Sequence, residues 1–461
     1  MTRLTHTIQL PPSDLTSARI ELAEQMVPRY TSYPTAPHFG PAVDPATYRN
    51  WLSQLSPCTT LSLYLHVPFC AAMCAYCGCH TKVVRKHEPV DAYRDRLIAE
   101  IDLIAGLTTA RRVRHLHWGG GTPTMLRSEG LAAVVERIAL RFGLAEGAEH
   151  AIELDPRQVT RELGRDLARI GVNRASLGVQ DLNPHVQTAI GRIQPYETVA
   201  AAVDHLRSAG IDAISFDLMY GLPHQSEADL LDTIVRATKL GPDRIALFGY
   251  AHVPWFKTHQ RLIDDKALAD PNGRFGQASA ARQALVAMGY RAIGLDHFAL
   301  PDDTLVSAAE GGHLKRNFQG YSVDDADALI GLGASAIGKL PQGYVQNAPD
   351  IAGYQRAIDQ GLPATVRGLA LSQEDRMRAA VIEQLMCGFG TDLAATADQF
   401  GFAPALFDDD LERLQPLERE GLVSRDGRKI RVLEPGQPFV RVVASIFDAH
   451  LAKAGRHSAA V

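Results

Sequence analysis

Between Leu61 and about Leu340, short apolar runs alternate with amphipathic stretches whose apolar residues recur every three or four positions. Runs of this length and composition suit strands buried on both faces of a parallel sheet. They span 61–67, 113–118, 150–154, 174–179, 213–218 and 245–250. Between them, Leu131, Val134, Val135, Ile138 and Phe142 share one helical face, and Ser226 with Asp229 forms a capping pair ahead of Leu230 and Leu231. Strand followed by helix, six times over, predicts an α/β fold: a partial (β/α)6 barrel with a wide lateral mouth.

The flanks read differently. Residues 1–55 form an N-terminal extension, with helical spacing over 13–26, Ser13 or Asp14 as the cap, and a break at Pro34. The barrel domain is expected over 56–365. From 366 to 461 the chain is mainly helical (373–385, 393–400, 406–420) and then turns a hairpin at Asp426-Gly427. Helices followed by a hairpin resemble a winged helix. Asp408, Asp409, Asp410, Glu412, Glu418 and Glu420 make that neighbourhood acidic, which argues against phosphate binding and for a lid or brace.

Polar residues end the apolar runs. Cys70, Gly119 to Gly121, Glu153, Gln180, Asp217 and Ala251 each sit at or just past a predicted strand. In parallel barrels those ends converge on one opening, so the pattern predicts a shared site. Isolated, Glu153 or Asp217 would equally suit a helix cap.

Four of the 6 cysteines fall between Cys70 and Cys79. Disulfides within so short a loop would be strained. Zinc is the stronger rival, yet such sites usually take two separated ligand pairs, and no second Cys/His pair of that form is present. A redox C-x-x-C would leave Cys70 unexplained. Three thiolates on one loop, Cys70, Cys74 and Cys77, instead suit a 4Fe-4S cluster with one iron left open. Cys79 is a fourth ligand, a spare thiol or a substrate contact. Cys58 and Cys387 read as small buried apolar residues.

The C-x-x-x-C-x-x-C spacing with Tyr76 before its last cysteine resembles the radical S-adenosylmethionine (SAM) enzymes. Further motifs are similar to one group among them, the oxygen-independent coproporphyrinogen III oxidases: Tyr64-Leu-His66-Val-Pro-Phe-Cys70, Cys79, Trp118-Gly-Gly-Gly-Thr-Pro-Thr124, Glu153-Leu-Asp-Pro-Arg157, Gly178-Val-Gln180-Asp181, Asp217-Leu-Met-Tyr-Gly-Leu-Pro223 and Arg316-Asn-Phe-Gln-Gly-Tyr321. The resemblance implies a 4Fe-4S cluster on Cys70, Cys74 and Cys77 and two SAM molecules. One would touch Tyr64, Gly120, Glu153 and Ile337. The other would touch Tyr76, Gly121, Thr122, Gln180, Arg192, Asp217 and Ala251. It also implies coproporphyrinogen III as substrate, its propionates decarboxylated to vinyl groups by a 5′-deoxyadenosyl radical, with a separate electron donor and acceptor. Two alternatives stand beside it: a haem-trafficking relative without oxidase activity, and a zinc-dependent regulator that binds DNA.

Charge refines the picture. The formal net charge of -5 argues against general nucleic-acid affinity, so an anionic substrate must meet a local basic patch. Arg29, Lys82, Arg85, Lys86, Lys315 and Arg316 are the candidates, while Asp296-His297-Phe298 and His66 stand near strand ends. The polar start reads as no signal peptide and no apolar run reaches spanning length, so a cytoplasmic location free of membrane is expected; a monomer is a separate expectation.

Overall fold

The computed structural model describes residues 17–451 and residue 460; the predicted caps Ser13 and Asp14 lie outside them. All six predicted strands are present: β1 (Thr60–Val67), β2 (Arg112–Gly120), β3 (Leu144–Leu154), β4 (Arg174–Gln180), β5 (Ala213–Tyr220) and β6 (Arg244–Gly249). They join six further strands, β7 (Arg291–Ile293), β8 (His297–Ala299), β9 (Ala328–Leu332), β10 (Ile337–Leu340), β11 (Gly343–Asn347) and β12 (Thr365–Ala370). The order in the sheet is β12-β11-β10-β9-β1-β2-β3-β4-β5-β6-β8-β7.

The run from β9 through β6 is parallel, and both flanks are antiparallel. The sheet is therefore open, and one parallel strand longer than the pattern predicts. β9 reaches its place beside β1 after a long excursion. The last strand, β12, pairs with β11 and carries the sheet across residue 366 before Ser372 and Asp375 form a capping box for the helix Gln373–Gly388.

Alternation in β1 explains its sidedness. Leu61, Leu63, Leu65 and Val67 are fully buried against the helices Glu88–Leu107 and Arg127–Phe142, whose inward faces include Leu97, Ile101, Val134 and Ile138. Each such side chain contributes about 1.5–3 kcal/mol of burial. Tyr64 and His66 then face the other side.

A second core joins the two ends of the chain. Ala23, Val27, Tyr30 and Tyr33 pack with Met377, Leu385, Phe407, Phe439 and Phe447. Tyr30 OH donates to Asp448 Oδ2 (3.0 Å), and Arg441 Nε donates to Pro28 O (3.0 Å). The N-terminal stretch is thus part of the C-terminal body rather than a free packing arm. In that body Gly390–Asp392 and Val423–Asp426 flank Lys429–Val432 in a small antiparallel sheet, and Gly427 takes the left-handed turn conformation (φ 56°). Among the described residues no helix is long and apolar enough to cross a membrane.

Candidate active site

The thiol loop is closed at its root by backbone pairing. Just past the end of β1, Phe69–Cys70 runs beside Lys82–Val83, with Lys82 N–H donating to Pro68 O (2.8 Å) and Val84 N–H to Cys70 O (3.1 Å). The end of β2 is pinned to the same root: Gly121 N–H donates to Val67 O (2.9 Å) and Thr122 N–H to Phe69 O (2.7 Å). So close an approach needs glycine. A Cβ on Gly121 would lie 2.5 Å from Phe69 O and Thr81 Oγ1, and one on Gly119 would lie 2.6 Å from Glu153 Oε1.

Cys70, Cys74, Cys77 and Cys79 line one cavity of about 430 Å3. Tyr76, Gly120, Gly121, Thr122, Glu153, Gln180, Arg192 and Asp217 line it too. Tyr64, Ala251 and Ile337 do not. Tyr64 stands behind the glycines, its hydroxyl 3.1 Å from His66 Nδ1 and its ring stacked on His117. Ile337 opens β10, its backbone packed against Gly331 of β9. Ala251 borders a second cavity.

The cysteines differ in state. Burial raises the Cys70 thiol, against hydrogen bonds from Thr81 (3.1 Å) and Thr122 (3.5 Å). Hydrogen bonding with Cys79 lowers Cys77 and raises Cys79, and His259 and Lys257 lower Cys77 further, so Cys77 is the readier thiolate. Arg192 Nη1 points at Cys74 Sγ (3.5 Å).

The polar wall is set by strands. Glu153, next to last in β3, accepts from Gly120 N–H (3.3 Å) and lies 3.3 Å from His117 Nε2. Asp217 lies within β5, and burial, then the charge of Glu153, pushes its carboxyl up to about 7. At Gln180 the register of β4 against β5 shifts and the backbone turns left-handed (φ 65°), an uncommon conformation for a side chain other than glycine. That bulge turns Gln180 into the cavity wall. Arg192 Nη2 donates to Gly178 O (2.7 Å) and meets Asp155 (3.4 Å), while its buried Nε has no hydrogen-bond partner.

Some contributors carry no signal in spacing. Asp155 is clamped by Arg157 (2.6 Å) and so orients Arg192; both lie in the quoted motif 153–157, but pattern alone assigns them no role. The segment after β6 grips the thiol loop by its carbonyls: Gln260 Nε2 donates to Tyr76 O (2.9 Å), Lys257 Nζ donates to Cys79 O (2.9 Å), and His259 Nε2 lies 2.7 Å from Cys77 O. The basic candidates separate. Lys82, Arg85 and Lys86 are exposed beside the thiol loop, Lys315 pairs with Glu383 (3.0 Å), and Arg29 and Arg316 face the second cavity. His297 bonds Asp296 (2.8 Å), and His66 lies 2.9 Å from His80 O.

Three thiols spread over one loop, facing a glycine backbone, two carboxylates and an unpartnered guanidinium nitrogen, fit a cluster whose open iron takes an amino-acid ligand. Among the described residues no three Cys, His, Asp or Glu groups are gathered tightly enough to hold a single ion, the arrangement zinc needs.

Residues 64–237 match the Radical SAM superfamily and residues 371–439 match the HemN C-terminal domain. The chain is 49% identical over 434 residues to the oxygen-independent coproporphyrinogen III oxidase of Bradyrhizobium diazoefficiens, covering 94% of this chain and 96% of that protein. It is 43% identical to the enzyme of the same name from Paracoccus denitrificans, covering 96% of this chain and 98% of that one. Among solved structures, coproporphyrinogen III oxidase (HemN) from Escherichia coli superposes with a TM-score of 0.88 at 37% identity, covering 93% of this chain and 100% of that one.

Proposed function

The chain belongs to the family of oxygen-independent coproporphyrinogen III oxidases within the radical SAM superfamily, and on that premise we propose which of its residues hold each component. It is an oxidoreductase of haem biosynthesis that works without oxygen, converting two propionates of coproporphyrinogen III to the vinyl groups of protoporphyrinogen IX. Its cofactors are a 4Fe-4S cluster and SAM. We assign the cluster to Cys70, Cys74 and Cys77. The convergence of these thiols, Gly120, Gly121, Glu153 and Asp217 on one cavity carries that assignment.

When bound, the cluster and SAM supply a 5′-deoxyadenosyl radical that takes a hydrogen atom from a propionate β-carbon, after which carbon dioxide leaves and one electron passes to an acceptor. The chain's own work is placement and shielding. Glu153, held by Gly120 N–H, offers carboxylate oxygens to an amine or ribose hydroxyl of SAM. Asp217, whose carboxyl is pushed up to about 7 by burial and then by the charge of Glu153, would hydrogen-bond a hydroxyl of SAM. Arg192 offers its unpartnered Nε to a carboxylate or hydroxyl acceptor. Phe248, Leu305 and Phe318 add apolar wall to the same cavity, which would help to keep water from the radical.

We place a first SAM on Tyr64, Gly120, Glu153 and Ile337, and a second on Tyr76, Gly121, Thr122, Gln180, Arg192, Asp217 and Ala251. The electron donor and acceptor are separate partners. Anaerobic reconstitution with iron and sulfide tests the cluster assignment. A brown protein that releases 5′-deoxyadenosine on reduction and forms protoporphyrinogen IX is expected, and Cys74→Ala is expected to be colourless and inert. A coloured, active Cys74→Ala protein would remove that thiol from the ligand set.

A further inference from the structure

A second cavity, of about 830 Å3, lies across the sheet from the thiol cavity. Alternation along β6 separates them: Arg244 and Ala246 line the thiol cavity, Leu247 and Gly249 line the second, and Phe248 borders both. The helix Pro271–Ala287, the turn before β8 and the segment around Pro435 close the remaining sides. Its volume falls in the usual range for a bound organic molecule, on the order of 300–1,000 Å3.

The walls are of two kinds. Trp255, Phe275 and Val286 are apolar, whereas Arg29, Arg274, Arg282 and Arg316 bring guanidinium groups to the same space. Carboxylates are few there: Asp296 and Glu434. Arg29 Nη2 donates to Gly249 O (3.2 Å), and Arg274 Nη1 to Tyr250 O (2.9 Å) with its guanidinium over the Tyr220 ring. Arg316 is only 4% exposed, and its Nη1, 3.7 Å from Asp296 Oδ1, makes no hydrogen bond. Asp296 is already shared with His297 (2.8 Å).

Three guanidinium groups therefore lean on neutral carbonyls and on one divided carboxylate. Arg29 is exposed at the rim and Arg274 half-buried, whereas the Arg316 side chain is buried beside them with only the shared Asp296 for a carboxylate. A buried guanidinium such as that of Arg316, with only part of one carboxylate to balance it, is costly until an anion meets it, and Arg29 and Arg274 add positive charge at the same space. The guanidinium fork matches a carboxylate bidentately. Apolar walls beside such forks suit a flat hydrophobic body that bears carboxylates.

We propose that this cavity is a second site for a carboxylate-bearing tetrapyrrole, held through Arg29, Arg274 and Arg316 on the far side of the sheet from the thiol cavity. The choice of tetrapyrrole rests on the oxidase reading, because substrate and product of that reaction share this chemistry. β6 stands between most of this cavity and the thiols, with Phe248 bordering both spaces. Four carboxylates mark the substrate as its source and two mark the product.

Trp255 supplies the readout. Of the 3 tryptophans, Trp51 and Trp118 are buried elsewhere, at 7% and 0% exposure, while Trp255 lines this cavity. In the full chain with its cluster and SAM bound, coproporphyrin III is expected to quench tryptophan emission, and Trp255→Phe removes most of that response. Its tetramethyl ester should not bind. Arg29→Gln and Arg274→Gln should each weaken binding roughly tenfold, the loss of one charge-assisted pair. Ala278→Phe, which fills the cavity and leaves every guanidinium in place, should weaken it as well, with thermal melts and iron content showing that all three variants fold. Tighter binding of coproporphyrin III than of protoporphyrin IX assigns the site to substrate, and the reverse assigns it to product. An unquenched Trp255, equal binding of the ester, or unchanged affinity in both arginine variants overturns the site. Absent vinyl formation with Trp255 still quenched would count against the oxidase reading alone.

Discussion

Glu153 and Asp217 face one cavity from β3 and β5, and the negative charge of Glu153 helps hold Asp217 protonated, up to about 7. A carboxyl whose folded value is raised binds its proton more tightly in the native state. Its contribution to stability is complete below the unfolded value near 4 and is lost as pH rises through about 7. Asp217→Asn should therefore stabilise the ligand-free protein at pH 8 by about 1–2 kcal/mol and leave it nearly unchanged at pH 4. Thermal melts at the two values check this. The same variant should lose turnover while keeping its iron, and unchanged turnover would remove Asp217 from the site.

Two glycines of the same region should respond in opposite ways. A Cβ on Gly121 meets Phe69 O at 2.5 Å, whereas one on Gly78 meets nothing within 4 Å. Gly121→Ala must push the loop root away from β2, at about 1–3 kcal/mol, and should bind less iron after reconstitution. Gly78→Ala should retain wild-type iron content and melting temperature. Equal iron in both would mean that the loop root yields without disturbing the thiols.

Gln260 is 1% exposed and ties three backbone groups together: its amide donates to Tyr76 O (2.9 Å) and Ala251 O (3.3 Å), and its carbonyl accepts from Val253 N–H (2.6 Å). Gln260→Ala leaves those groups unpaired, at about 2–3 kcal/mol. It should shorten the lifetime of the bound cluster in air several-fold. Following the visible absorbance over time measures it.

Much of this arrangement was legible along the chain. β1 through β6 announce themselves by apolar residues that recur along them and are buried under the helices, and the thiol spacing announces the cofactor. Their other face carries polar residues such as Arg174, Ser176, Ser215 and Asp217 to the cavity instead of being covered. β9 through β12 do not, since glycines interrupt them and close packing, not periodicity, calls for those glycines: a Cβ on Gly331 would meet Ile337 O at 2.6 Å and one on Gly368 would meet Tyr344 O at 2.1 Å. β7 and β8 are three residues each, too short to show a period. Contacts far apart in sequence left no trace either, among them Gln260 on Tyr76 O and Tyr30 on Asp448. Arg192 entered only through family resemblance, and its clamp by Asp155 only through geometry.

Glu100 supplies a further titration, remote from the thiols. Its side chain, 1% exposed, accepts from Gly333 N–H (2.6 Å), Asn347 Nδ2 (2.7 Å) and Tyr354 OH (2.8 Å), and so fastens the helix Glu88–Leu107 to the chain beyond β9. Burial raises it to about 7 despite those three donors. With a raised folded value the sign is that of Asp217: stability falls as pH climbs through about 7. Glu100→Gln removes this titration but turns an amide toward one of the three donors, so it should cost about 1–3 kcal/mol at pH 5 and less at pH 8. Glu100→Ala, which leaves all three donors unpaired in the core, should cost more at both values. Urea unfolding at pH 5 and pH 8 separates the variants, and a gap between wild type and Glu100→Gln that widens with rising pH would show that this carboxyl does not carry the titration.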